Sequence, residues 1–298
     1  MLIRFWGTRG SLPTPGPKTV RYGGNTPCVE VRLAHDNLVI FDAGTGIRDL
    51  GDTLTAKGES VTAFIAISHP HWDHIQGFPF FKPAFISGNV FTVIGPQTKH
   101  LTLRAAIASQ MNKVFFPIQL SELKAKIHFL PVREQTLQLF DATLTSLYVN
   151  HPAFAVGYRL DAGNHSMVYI SDNEPFDREF ARSLRNVEKH IVDRYLAERG
   201  DPNRRVIDFA RGADVLIHDT TYTPEEYVSH VGWGHSHYLF SLSVAEQAGV
   251  KKLVLFHHDP GHDDEKIDEI VLKCRNEIRM RHHGFECVAA AEGLEIEW

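Results

Sequence analysis

The run Ser68-His69-Pro70-His71-Trp72-Asp73-His74 constrains this chain more than any other feature, because it gathers three imidazoles and a carboxylate into the six positions 69–74. The preceding Val61-Thr62-Ala63-Phe64-Ile65-Ala66-Ile67 is almost continuously apolar, as a strand buried on both faces is. His69 should therefore emerge at the C-terminal end of an interior strand. Ligands at i, i+2, i+4 and i+5 share no single helix or strand face, so only an irregular turn can fold them around an ion. Imidazole and carboxylate without thiolate suit zinc, manganese or iron in a hydrolytic site with a position left open. The alternative, a histidine-rich surface loop, makes poor use of His and Asp at the exit of a buried strand.

In this motif the chain resembles the metallo-β-lactamase-fold hydrolases, whose H-x-H-x-D-H signature is matched by His69, His71, Asp73 and His74. The opening Phe5-Trp6-Gly7-Thr8-Arg9-Gly10-Ser11-Leu12-Pro13 and Asn25-Thr26-Pro27 resemble the ribonuclease Z and cyclic phosphodiesterase branch. Phe41-Asp42-Ala43-Gly44-Thr45-Gly46 is similar to the strand and glycine turn that precede the metal motif. The resemblance gives Asp42 the role of supporting the metal loop; a turn-forming Asp is the plainer alternative.

The same resemblance completes a set for two divalent ions, with zinc favoured and manganese or iron as alternatives. His151, Asp172 and His257 match the remaining ligands, and each stands where an apolar strand runs out, the place open α/β sheets give to their sites. By resemblance His69, His71 and His151 hold one ion, Asp73, His74 and His257 the other, with Asp172 and a hydroxide bridging. His258 is the register alternative to His257, but strand alternation turns the two apart. His35, His100, His128, His165, His190, His262, His282 and His283 lie in polar or turn-rich surroundings and are read as surface residues.

A second polar group lies downstream in Ile217-His218-Asp219-Thr220-Thr221 and Trp233-Gly234-His235-Ser236-His237. The related phosphodiesterases carry an acidic residue and a Gly-His-Ser at these places, so the resemblance makes Asp219 and His235 catalytic together with Asp73. A carboxylate beside an imidazole favours its protonated form, which suits it to protonate a leaving alkoxide. Asp219 departs from the glutamate of ribonuclease Z by one methylene, and a capping or packing role is the plainer reading of His235.

The expected fold is α/β (α+β), a four-layer αββα sandwich, as one domain over residues 1–298. Strands are expected at Leu2 to Trp6, Cys28 to Leu33, Leu38 to Asp42, Val61 to Ser68, Val90 to Ile94, Ile127 to Leu130, Ala142 to Val149, Phe154 to Leu160, Ser166 to Ser171, Val215 to His218, Leu253 to His257 and Glu286 to Ala289. Helices are expected around Gly77 to Phe80, Thr98 to Met111, Asp177 to Glu198, Leu239 to Gln247 and Asp264 to Met280. In the last, Ile267, Ile270, Val271, Cys274 and Ile278 recur at helical spacing. The charged stretch from about 174 to 211 reads as a helical insertion, a solvated face or else a lid or homodimer contact.

Composition narrows the partners. The net charge of -5 argues against a general polyanion binder, so nucleic acid is not the favoured partner. No apolar run approaches the roughly 20 residues that span a bilayer, and the N-terminus has no signal-peptide core. Cys28, Cys274 and Cys287, odd in number and far apart in sequence, read as reduced thiols of a cytoplasmic protein. The favoured function is hydrolysis of a small or cyclic phosphodiester. A tRNA 3′-processing ribonuclease is the alternative, though the long arm with which ribonuclease Z grips tRNA has no counterpart between His151 and Asp172. Thiolester or lactone hydrolysis would not need the Asp219–His235 pair. An iron-flavin oxidoreductase lacks its acidic ligand here, and a non-catalytic scaffold would have lost ligands.

Overall fold

The interior of the protein is made by strands that bury their apolar side chains between the sheets and beneath the covering helices. In the computed structural model, which describes residues 1–97, 101–177, 193, 197 and 200–298, two seven-stranded sheets pack face to face. The first has the order β14-β1-β2-β3-β4-β5-β6, with β1 Leu2–Gly7, β2 Cys28–Arg32, β3 Leu38–Phe41, β4 Thr62–Ala66, β5 Val90–Pro96, β6 Lys126–Val132 and β14 Glu295–Glu297. The second has the order β13-β12-β11-β10-β9-β8-β7, with β7 Gln135–Leu139, β8 Ala142–Tyr148, β9 Val156–Ala162, β10 His165–Ile170, β11 Val215–Asp219, β12 Lys252–Phe256 and β13 Glu286–Ala289. In each sheet an antiparallel part runs into a parallel part, β3 to β6 and β10 to β13.

Phe5, Phe41, Tyr158, Tyr169 and Phe256 fill the space between the sheets, with ring centroids 5.3 Å apart for Phe41 and Tyr169 and 5.6 Å for Tyr169 and Phe256. Two of these rings also carry polar ties across the interface. The Tyr158 hydroxyl donates to the Ile67 carbonyl at 2.7 Å, and that of Tyr169 to Asp42 Oδ2 at 2.7 Å. Both reach from the second sheet to the loops that leave β3 and β4, and each satisfies a hydroxyl that burial would otherwise penalise.

Helices cover the outer faces. On the first sheet lie α1 Ile47–Ala56 and α3 Leu103–Gln110; the short α2 Trp72–Ile75 is part of the metal motif itself. On the second lie α4 Pro202–Ala210, α6 Tyr238–Ala248 and α7 Asp264–Met280, with the short α5 Pro224–Tyr227 in the loop after β11. The spacing read in α7 is the buried face: Ile267, Ile270, Val271 and Cys274 are buried and Ile278 packs beside them. The expected αββα sandwich is therefore the architecture found.

Several elements differ from expectation. The helix expected at Gly77 to Phe80 is only a 3-10 turn, Phe78–Phe80, which stops where Phe81 takes extended backbone. Helix α1 and strands β7 and β14 were not anticipated. The strand expected from Phe154 begins at Val156 and runs on to Ala162. The helix expected over Asp177 to Glu198 lies almost wholly outside the described residues, as do positions 98–100 of the one expected from Thr98, so over residues 174–211 the main described element is α4. Among the described residues no helix is long and apolar enough to cross a membrane.

Candidate metal centre

Each candidate ligand hangs from the end of a strand or from the turn that follows it. After β4 the chain passes through Ser68 and His69 and turns at His71 into α2, whose first turn carries Asp73 and His74. His151 follows β8, Asp172 follows β10, Asp219 ends β11, and His257 follows β12. His257 and Asp42 both have left-handed backbone, φ 61° and 59°, so each departs from simple strand alternation. His258 is buried on the other side, with Nε2 2.9 Å from the Ala290 carbonyl.

The structure brings the seven expected ligands together, joined by His235, in groups whose ligand atoms lie within 4.8 Å of one another: His69, His71 and His151; His69, His74 and Asp172; Asp73, His74 and His257; Asp172, His235 and His257. Asp172 reaches both sides, with Oδ2 3.7 Å from His69 Nε2 and Oδ1 3.2 Å from His74 Nε2 and 3.5 Å from His257 Nε2. His151 Nε2 lies 3.3 Å from His71 Nδ1. His71 is exposed and His151 half-buried, so the cluster opens to solvent on that side.

The donor set fits divalent cations. His69 Nε2, His74 Nε2 and Asp172 Oδ1 are buried and make no hydrogen bond, although they approach one another closely. They aim at common points rather than at each other, the arrangement expected of ligands. Asp42, Asp73, Asp172 and Asp219 are all buried, yet among the described residues only histidines lie within ion-pair distance of them. So much buried negative charge without Lys or Arg calls for another cation.

Supporting hydrogen bonds fix the imidazoles. His74 Nδ1 lies 2.7 Å from Asp42 Oδ2, and Asp42 also accepts from the Ser68 N–H at 2.7 Å and hydroxyl at 2.9 Å. Asp42 thus supports the metal loop, and the turn-forming alternative falls away. His151 Nδ1 donates to the Gly234 carbonyl at 2.9 Å, leaving Nε2 facing the cluster. His257 Nδ1 lies 3.0 Å from the Thr221 hydroxyl, which in turn is 2.7 Å from Asp219 Oδ1. Asp73 Oδ2 accepts from the Ser11 N–H at 2.8 Å. Gly10 lets the backbone come close to the ring, since a Cβ there would lie 2.3 Å from His257 Nδ1 and one of the two would have to shift.

Charges in the cluster follow from burial and neighbours. Burial, joined by His74, holds His69 well below the usual imidazole range. Burial acts the same way on His74, but Asp73, Asp172 and Asp42 outweigh it and raise that group. Burial, with a smaller opposing pull from Asp172, lowers His151 to about 4. Burial opposes ionisation of Asp172, yet His257, His74 and His69 hold it well below the carboxylate range. The shorter Asp219 still reaches His235, with Oδ2 3.1 Å from Nδ1, and outweighs burial to raise that imidazole to about 9. Asp219 and His235 therefore form a close pair.

A family model described as the beta-lactamase superfamily domain matches residues 37–203, more than half of the chain. The chain belongs to the metallo-β-lactamase-fold hydrolases. A relative named ribonuclease Z, from Thermoplasma acidophilum, is 28% identical over 296 residues, covering 89% of this chain and 88% of that protein. Among solved structures, the metallo-β-lactamase fold protein YhfI from Bacillus subtilis superposes with a TM-score of 0.68 at 18% identity, covering 100% of this chain and 98% of that one. A diphosphatase of the PhnP family gives 0.64 at 18% identity, covering 100% and 97%. These two structural likenesses speak for the fold.

The sequence reading missed some members of the site in this hydrolase. Ser68 and Thr221 lay inside the quoted motifs and Tyr169 inside an expected strand, but none carries a spacing signal of its own. His262, read as a surface residue, is buried with Nε2 3.0 Å from Glu226 Oε1. Its turn-rich sequence surroundings gave no hint that Arg9, fully buried, would seek its carbonyl.

Proposed function

We propose that this hydrolase is a phosphodiesterase of two divalent ions, zinc favoured over manganese or iron, acting on small or cyclic phosphodiesters. The observation that carries the reading is Asp172, whose two oxygens face separate histidine groups while Asp219 and His235 stand beside them. His69, His71 and His151 would hold one ion, Asp73, His74 and His257 the other, with Asp172 between. Such ions would polarise a phosphoryl oxygen and make water nucleophilic near neutral pH. The protein's own contribution is placement and a proton. Asp219 orients His235, whose ring stacks on His257 at 4.8 Å, so that a protonated imidazole can deliver its proton to the leaving alkoxide. Three buried free thiols suit a reducing, cytoplasmic setting.

A second reading, maturation of tRNA 3′ ends, is favoured by the relative named ribonuclease Z. Against it, the gap between His151 and Asp172 holds only the hairpin of β9 and β10, whose strands pair directly at Ala162 and His165. A tRNA ligand would need many phosphate contacts, and its affinity would fall steeply with salt. Rates on bis-aryl and cyclic phosphodiesters and on pre-tRNA, each at two ionic strengths, separate the two. The small-substrate reading expects ready hydrolysis of the former with weak, unspecific cleavage of the latter. Accurate, salt-sensitive 3′ cleavage at low enzyme concentration would put the ribonuclease first.

A further inference from the structure

Glu174, two residues beyond Asp172, is buried and belongs to none of the candidate ligand groups. Its Oε1 accepts from the Tyr227 hydroxyl at 2.9 Å and the Gly232 N–H at 2.6 Å, and its Oε2 from the Gly234 N–H at 2.8 Å. All three donors lie on the segment that runs from α5 to His235. The backbone of Glu174 is tied elsewhere: its N–H donates to the Asn150 carbonyl at 2.7 Å, and its carbonyl accepts from Asn150 Nδ2 at 3.0 Å. One residue therefore joins the three segments that present Asp172, His151 and His235.

Those segments meet at Gly234. It has a φ of +90°, and a Cβ there would lie 2.3 Å from His151 Nδ1 and 2.4 Å from Pro152 Cδ. The backbone approaches the imidazole this closely because there is no side chain, and the Gly234 carbonyl accepts a hydrogen bond from His151 Nδ1–H. The tautomer and aim of His151 are thus set by a carbonyl that Glu174 anchors through the adjoining N–H.

We propose that Glu174 is a positioning residue for one half of the metal centre: through Gly234 it fixes His151, and with it the ion held by His69, His71 and His151. The inference rests on the two-ion reading above. The Glu174 side chain makes no bond to the supports of the other half, where Asp73, His74 and His257 are held by Ser11, Asp42 and Thr221. A carboxylate can accept from all three donors, whereas a glutamine presents an NH2 group to at least one of them. Groups that hydrogen-bond a metal ligand directly typically change metal affinity by about 10–100-fold, and Glu174, one bond further out, should act at the lower end of that range.

The test is binding rather than turnover. Chelator-stripped wild type and Glu174→Gln are titrated with Co2+, followed by its visible absorption, and with Zn2+ in competition with a chromophoric chelator. Wild type should take up two ions per chain. Glu174→Gln should bind one ion as wild type does and the other about 10-fold more weakly. The 15N resonances of the His151 ring in the metal-free protein should show the Nδ1–H form in wild type and a mixture in the variant. Should Glu174→Gln fail to fold, Tyr227→Phe removes one donor while leaving the carboxylate, and should weaken the same ion by a smaller factor. Two ions bound at wild-type affinity by the variants would overturn the inference, and so would an equal loss at both ions, the mark of a merely structural role. A wild type that binds fewer than two ions would instead defeat the two-ion reading, before any variant is compared.

Discussion

Asp172 and His71 hold opposite positions in the cluster, one buried between two histidine groups and the other exposed at its mouth. Both Asp172→Ala and His71→Ala should abolish hydrolysis and leave the fold largely intact, with the greater loss of bound metal at Asp172. Metal content, turnover and far-UV circular dichroism on each variant check this, and two ions with full activity in either would remove it from the ligand set. Asp219 and His235 should act as a unit, so the double alanine variant should turn over a phosphodiester no more slowly than the worse single variant. Multiplicative losses would separate them. Gly10→Ala should push His257 aside, and a turnover near wild type would show that the backbone yields instead. At this scale the candidate ligands were legible as a cluster because only a few residue types bind metal and each stood at the exit of an apolar run. Thr221 and Glu174 were not, since a residue that accepts from backbone N–H groups or relays to an imidazole has no distinctive type or spacing.

Among the elements, the interior strands and α7 were readable because their burial is written in period or in unbroken apolarity. Strand β7, Gln135–Leu139, was hidden by its polar alternate residues, as an edge strand's are. Helix α1 was masked by Gly46 and Gly51, although Ile47, Leu50 and Leu54 form a buried stripe. Where β10 and β11 begin side by side, Asp214 accepts from the Ser166 N–H at 2.8 Å and pairs with Lys251 Nζ at 2.6 Å. Burial opposes its ionisation, but Lys251 and Ser166 outweigh it and hold the carboxyl below its usual value. Because the folded value is the lower one, this stabilisation is present above the unfolded pKa of about 3.9 and is lost as pH falls through the folded value. Asp214→Asn should therefore cost about 1–2 kcal/mol near neutral pH, and the difference from wild type should shrink below pH ~3.9. Urea melts at pH 7 and pH 3 decide it, and a difference independent of pH would contradict the assignment.

On the scale of the whole molecule the centre exists only while the sheets are packed. His69, His71, Asp73 and His74 come from loops of the first sheet, and His151, Asp172, Asp219 and His257 from those of the second. The Tyr158 and Tyr169 hydroxyls pin the two together beneath the site. The sandwich followed from the order of apolar runs, but this registration of one sheet on the other, set by side chains far apart in sequence, could not be read from the chain. The central claim, that hydrolysis of a small phosphodiester requires two ions in this one centre, is tested by titrating chelator-stripped protein with Zn2+ while following release of nitrophenolate from bis(p-nitrophenyl) phosphate. Activity should be absent without metal and reach its plateau at two ions per chain, whereas full activity with no metal or with a single ion would contradict the account.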